Sequence, residues 1–137
     1  MLKYWLSALV VISSVLAIGT SNARGADYRC TVERVETARS SDSKFHGAYI
    51  GREFTVERAS GVMAGSLKNN YVSPPQIIDP GSTDNSYKVL GSLRPGQGFG
   101  PGSNVYLLTI NEYDASERKP FLFGQNDAAY FGHCTHF

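Results

Sequence analysis

Two cysteines, three histidines and a single tryptophan are all that this 137-residue chain holds of those three residue types. A structural zinc centre takes about four ligands from Cys, His and carboxylates, and beside His133, Cys134 and His136 the chain offers only His46 and Cys30, so no metal site is expected. The tryptophan is Trp5, close to the N-terminus, which argues against a sugar platform built on Trp. Charge is equally sparse in pattern: 13 basic residues face 12 acidic ones with no basic block. Nucleic acid and anionic membranes therefore find no electrostatic handle. No Asn-x-Ser/Thr sequon occurs, and neither do G-x-S-x-G, His-Glu-x-x-His or a paired-carboxylate motif. No segment sustains a 3.6-residue apolar period, which leaves little room for helix. Internal repeats are absent too.

What is present begins with "MLKYWLSALVVISSVLAIGTSNA". One early charge, Lys3, precedes an apolar run from Trp5 to Ile18, and Ser21 and Ala23 stand at the −3 and −1 positions of a small-residue cleavage site. That layout is a secretory signal peptide over residues 1–23. The apolar run is short for a bilayer span, which needs ~20 residues. Cys30 follows "DYR", not the small aliphatic residues of a lipidation site. The expectation is a secreted or periplasmic protein, free of the membrane once the signal is removed, with one domain over residues 24–137. Lys3 leaves with the signal, so the remaining chain carries 12 basic and 12 acidic residues. Both cysteines stay, and in an oxidising compartment an isolated pair normally bonds. A Cys30–Cys134 bridge requires the two ends of the domain to lie side by side.

The domain reads as β throughout. "DYRCTVERV" alternates, with Tyr28, Cys30 and Val32 on one face. "ETARSSDSK" reads as a loop, and His46 is placed in loop as well. "REFTVERASGVMAGSL" is a hairpin, with Phe54 and Val56 in its first strand and Gly61 at a turn position needing positive φ. Pro74, Pro75 and Pro80 mark the stretch around "QII" as mostly loop. "SYKVLGSL" alternates. "NVYLLTINEY" is apolar on both faces, Val105 and Leu107 against Tyr106, Leu108 and Ile110, which predicts a central strand covered on both sides. "FLFG" and "AAYFGHCTHF" form a closing hairpin around "QND". The fold class is all-β: one antiparallel barrel or sandwich of roughly seven to nine short strands, with the N- and C-terminal strands adjacent. Fourteen of the sixteen aromatics fall after the signal, and they are expected to pack on both faces of a two-layer core.

The stretches "GREFTVERASGVMAG", "IIDPGSTDNSYKVL", "LLTINEYDASERKPFLF" and "YFGHC" together resemble a group of small secreted bacterial β-proteins to which no activity is attached. The resemblance implies a bacterial, periplasmic setting and assigns no site residue.

Three short patterns invite a chemical reading. In "YFGHCTHF", strand alternation puts His133 and Thr135 on one face and Cys134 with His136 on the other. The two histidines cannot then grip one ion without a bulge, and Cys30 claims the thiol that a Cys–His nucleophile would need. "RPGQGFGPGS", residues 94–103, carries alternate glycines but no G-x-x-x-x-G-K-[ST] or G-x-G-x-x-G, and a strand follows it instead of a helix. It reads as a mobile hairpin loop whose apolar tip, Phe99, is placed to touch a ligand or partner. "SDSK" spaces Ser41 and Lys44 as Ser-x-x-Lys, without the helix that would bring both to one face.

No catalytic residue is assigned on these grounds and no cofactor is expected. The function expected is a non-enzymatic binding or inhibitor module acting on an extracytoplasmic protein. A lipocalin-like carrier of a small apolar ligand is the alternative. A small hydrolase with loop carboxylates, drawn from Asp79, Asp84, Glu112 and Asp114, is the second alternative. The candidate binding residues are Phe99, Phe131, Phe137, Tyr130 and His136. A thiol assay on the denatured, non-reduced protein is expected to count no free cysteine; a count of two would refute the bridge.

Overall fold

Alternation of apolar and polar residues makes strands, and each strand here needs a neighbour to satisfy its backbone. The computed structural model describes residues 26–38, 43–98 and 100–137; segment 1–23, read above as a signal peptide, Ser41 and Phe99 lie outside them. The elements are β1 (Tyr28–Thr37), a short helix α1 (Ser43–Tyr49), β2 (Glu53–Val56), β3 (Met63–Gly65), β4 (Gln76–Pro80), β5 (Tyr87–Leu93), β6 (Asn104–Ile110), β7 (Lys119–Gln125) and β8 (Ala128–His136). All eight strands join one antiparallel sheet in the order β3-β2-β1-β8-β7-β6-β5-β4. The sheet curls into a half-barrel, so the architecture is a single curled sheet and not a sandwich.

The first and last strands sit side by side, third and fourth in that order. Their ladder runs from Tyr28↔His136 to Thr37↔Ala128, with Cys30 directly opposite Cys134, and the two cysteines are bonded. A bridge across 104 residues of sequence removes loop-closure entropy from the unfolded chain, by up to ~4.7 kcal/mol in the chain-entropy model. The register shifts between Val32 and Arg34, so Glu33 is the extra residue of a bulge. The bulge lets both Val32 and Val35 face inward, while Glu33 and Arg34 face out. Opposite Val32 stands Gly132, where an added Cβ would fall 1.9 Å from the Thr31 carbonyl oxygen. Only a residue without a side chain permits this approach of β1 to β8.

One face of the sheet forms the core. Tyr28, Phe54, Tyr87, Phe123, Leu108, Ile110, Val56 and Val89 are all buried, with Phe54 and Phe121 edge to face at 5.1 Å. No ladder joins the outer strands β3 and β4, which end the sheet order. Side chains bridge that seam instead. On the β3 side of it Asn69, 2% exposed, accepts from the Met63 N–H at 2.9 Å and donates to the Gly61 carbonyl at 2.8 Å. Its own backbone carbonyl passes so close to Gly91 that a Cβ there would sit 2.7 Å away. Arg58 reaches across to the carbonyls of Pro80 and Gly81, and the Tyr87 hydroxyl donates to the Arg58 carbonyl at 3.0 Å.

Four local expectations differ from the structure. The prolines around "QII" do not prevent a strand: β4 pairs with β5 from Gln76↔Leu90 to Pro80↔Tyr87, with a bulge between Ile77 and Asp79. An edge strand needs hydrogen bonds on one side only, so a missing Pro80 N–H is tolerated. Residues 43–49 are helical rather than loop, which places His46 on α1; seven residues are too few to show a helical period. Strand β6 is not covered on both sides. Val105 and Leu107 on its outer face are 57% and 43% exposed, as Leu122 on neighbouring β7 is partly exposed, because nothing described packs outside the curl. For the same reason the buried aromatics form one inner layer and not two.

Gly132→Ala is expected to lower stability by about 3 kcal/mol, read as a shifted denaturant midpoint at constant m-value. Gly124→Ala, where an added Cβ meets nothing within 4 Å, is expected to change it by less than about 0.5 kcal/mol.

Candidate functional site

The two ends of the half-barrel are chemically different. At the end where β1 begins and β8 finishes, the inward positions carry polar side chains that close on one another. Tyr28 donates its hydroxyl to Glu112 Oε2 at 2.7 Å. Nε2 of His136 lies 2.9 Å from Glu112 Oε1, and its Nδ1 lies 3.1 Å from the Ala26 carbonyl oxygen. Arg58 adds a charge 3.7 Å from the same carboxylate and lies over the rings of Tyr28 and Tyr87. A carbonyl only accepts, so Nδ1 is the donor in that contact, while Nε2 faces the carboxylate. Burial pushes the Glu112 carboxyl up, but the hydrogen bonds from Tyr28 and His136 and the His136 and Arg58 charges outweigh it and hold the group below the usual carboxylate range. Burial, then the bond to Glu112, drives the Tyr28 hydroxyl far above the ordinary tyrosine value. Tyr87 is pushed up to about 12, chiefly by burial.

His136, a binding candidate from the sequence, is therefore committed. Both ring nitrogens are engaged within the fold, and the network works as a plug that ties the β6–β7 connection to β1 and β8. Glu112 is the carboxylate of that plug. Asp79 and Asp114 cap turns, each accepting the backbone N–H two residues on.

The opposite end, where β5 and β7 finish and β6 begins, is open. It holds a cavity of about 720 Å³. Its apolar wall is Tyr71, Val72, Leu93 and Tyr106, and its polar groups are the carboxamides of Gln97, Asn104 and Gln125. Tyr71 stacks on Tyr106 at 5.5 Å with the rings 28° apart, and Tyr106 lies parallel to Phe123 at 6.5 Å. Phe123 in turn meets Tyr130, and Tyr130 meets Tyr49 of α1 edge-on. A continuous aromatic file thus runs from the core to the rim. Its outermost ring, Tyr71, is 56% exposed. Burial, with Tyr106 and Tyr49 nearby, raises the Tyr71 hydroxyl. Burial and Tyr49 push Tyr130 up to about 12. Among the described residues no charged side chain lines this cavity.

A third cluster lies on the outer face. Arg118 bonds Glu33 Oε1 at 2.6 Å, and His133 Nδ1 lies 3.0 Å from Glu33 Oε2. The bulge turns Glu33 outward to meet both. These groups are largely solvent-exposed, where such pairs contribute little.

The remaining sequence candidates do not form one site. Phe131 lies on the outer face beneath Arg34 at 3.9 Å. Phe137 is exposed beneath Arg29 at 4.6 Å. Tyr130 is buried on the inner face, deep in the aromatic file. Phe99 lies outside the described residues. His133 and His136 point to opposite faces, one to Glu33 and the other to Glu112. Among the described residues no three of His, Cys, Asp and Glu are grouped to hold a metal ion. The cavity residues Tyr71, Asn104, Tyr106 and Gln125 were not legible as a set. The one local hint was the pair "YV" at 71–72, two apolar residues standing inside a loop of Asn, Ser and Pro.

Comparison with known families finds no matching model. No curated protein and no solved structure matches the chain either. The likeness to small secreted bacterial proteins accordingly stays one of sequence pattern.

Glu112 gives the plug a pH signature. Its folded value is lowered, so its contribution is fully present above the unfolded value near 4.5 and is lost as pH falls through the lower folded value. Chemical denaturation of the wild type is expected to show stability falling across that acid range. In Glu112→Gln the fall should be shallower, with stability already reduced at neutral pH. Parallel profiles for the two proteins would contradict the assignment.

Proposed function

We propose that this protein is a non-enzymatic, extracytoplasmic binding module that holds its ligand in the open-end cavity. The observation that carries the reading is the cavity itself: about 720 Å³, within the size range of small-molecule sites, walled by aromatic and aliphatic groups with a few convergent polar ones. Half of its lining stands on strands, with Leu93, Asn104, Tyr106 and Gln125 on β5, β6 and β7. The disulfide-locked sheet holds those residues in place without the ligand. The leader at residues 1–23 and the bonded cysteine pair support an extracytoplasmic setting. Among the described residues no helix is long and apolar enough to cross a membrane.

The cavity modifies the carrier expectation in one respect. A lipocalin-like carrier would seat its ligand deep in the interior, but here the interior is filled by Tyr28, Tyr87, Phe54 and Phe123. Binding is at the rim. The hydrolase reading draws no support from this site, whose described lining holds no carboxylate. A protein partner is the second reading, favoured by Tyr71 and Val72, which stand half exposed at the mouth where a partner's side chain would enter.

Native mass spectrometry of the protein isolated from its own extracytoplasmic fraction tests the reading. A small-molecule adduct is expected on the wild type and not on Gln125→Lys, which puts a charge into the neutral cavity. A stoichiometric protein lost in the same variant would move the conclusion to the second reading. Occupancy that ignores Gln125→Lys, or no occupant at all, would contradict both.

A further inference from the structure

Resting on that reading, we propose that the open-end cavity is a carbohydrate site for a short, neutral oligosaccharide. Three observations limit what the cavity accepts.

The first is charge. The described lining contains Tyr, Val, Leu, Gln, Gly and Asn, and no ionised group. A phosphate, carboxylate or ammonium ligand would lose its hydration and gain no counter-charge. The second is the number of carboxamides. Asn104 donates through Nδ2 to the Tyr106 hydroxyl at 2.9 Å, which fixes its orientation and leaves Oδ1 as an acceptor. Gln97 accepts from the Arg94 N–H through Oε1 at 2.8 Å, which leaves its NH₂ as a donor. Gln125 supplies a third amide from β7. A purely apolar ligand would cover these groups without pairing them, at about 1–3 kcal/mol for each one left unsatisfied. The occupant must both donate and accept hydrogen bonds, at several points around its edge.

The third is the platform. Tyr71 is stacked on Tyr106, and Tyr106 on Phe123, so the outer ring is held before any ligand arrives and little ordering entropy remains to be lost on binding. A flat π-face attracts polarised C–H groups, and the axial hydrogens of a pyranose ring present such a face. Sugar hydroxyls around the ring are at once donors and acceptors, matching carboxamides set at separate points. A planar heterocycle also stacks but concentrates its polar atoms on one edge, whereas these amides come from β6, β7 and the 94–103 loop. The volume exceeds one hexose and suits a short oligomer. Tyrosine here takes the part for which the sequence offered no tryptophan beyond Trp5.

Isothermal titration of the secreted protein with cellotetraose, maltotetraose and the tetramer of N-acetylglucosamine tests the assignment. At least one is expected to bind with a dissociation constant between about 10 μM and 1 mM. Tyr71→Ala should weaken that binding at least tenfold, Tyr71→Phe should retain it within about threefold, and Asn104→Ala should weaken it about tenfold. His133→Ala, on the outer face, serves as the control and should leave it unchanged. Amide-resolved NMR of the same titration should move Tyr71, Asn104 and Gln125 first, a readout that a folding defect does not mimic. Absence of binding by all three sugars up to about 10 mM would overturn the carbohydrate assignment. So would sugar binding that Tyr71→Ala leaves intact. If adenosine or a protein partner binds instead, with loss in Tyr71→Ala, the sugar assignment falls while the binding-module reading stands. If Tyr71→Ala and Gln125→Lys affect no ligand of any kind, both fall.

Discussion

The pairing of β1 with β8 is the contact on which the rest of this structure depends. It joins the first and last strands along nearly their full length, and it carries the only covalent cross-link of the chain, between residues 104 apart in sequence. A ladder between strands so far apart in sequence must close a long loop, which costs conformational entropy. The bond between Cys30 and Cys134 holds those ends together in the unfolded ensemble and so reduces that cost. Gly132 makes the ladder sterically possible, and the bulge at Glu33 decides which β1 side chains turn inward above it.

From that seam the sheet extends in both directions and curls until its edges approach. With only one face turned inward, the core is a single layer of interlocking rings and aliphatics. Closure comes from side chains and not from a further ladder. Arg58 and Tyr87 each bond backbone groups across the gap, which satisfies polar atoms that a closed barrel would pair in its strands. The outer face is left with exposed aliphatics on β6 and β7, a consequence of the missing second layer.

The ends of the curl divide the work. At one end, charge and hydrogen bonding are spent within the protein: Glu112 is surrounded by donors, and His136 has no nitrogen free. At the other, aromatic stacking reaches the surface, and the polar groups are neutral carboxamides facing a cavity. The open end presents carboxamides and aromatic rings, with no carboxylate among its described lining.

Much of the scaffold was legible in the sequence. Alternation in "DYRCTVERV" and "SYKVLGSL", turn signals at regular spacing, and two cysteines at the domain's ends specify an antiparallel fold with adjacent termini, because period-two patterning and covalent pairing are local or pairwise facts. The same alternation separated His133 from His136 correctly, since side chains on a strand must point to opposite faces. What lay beyond reach depended on curvature. Whether Val105 and Leu107 would be covered, whether "QIIDP" would find a strand to pair with, and which partner His136 would meet from 24 residues away all follow from how the sheet closes. The cavity is the clearest case. Tyr71 comes from a loop, Leu93 from β5, Asn104 and Tyr106 from β6, and Gln125 from β7, and no periodicity links them. The sequence by itself determined most of the strands and their staple, but not edge strand β4 or the uncovered face of β6. The curl of the sheet, a collective result of twist and packing, decided which residues share the open end.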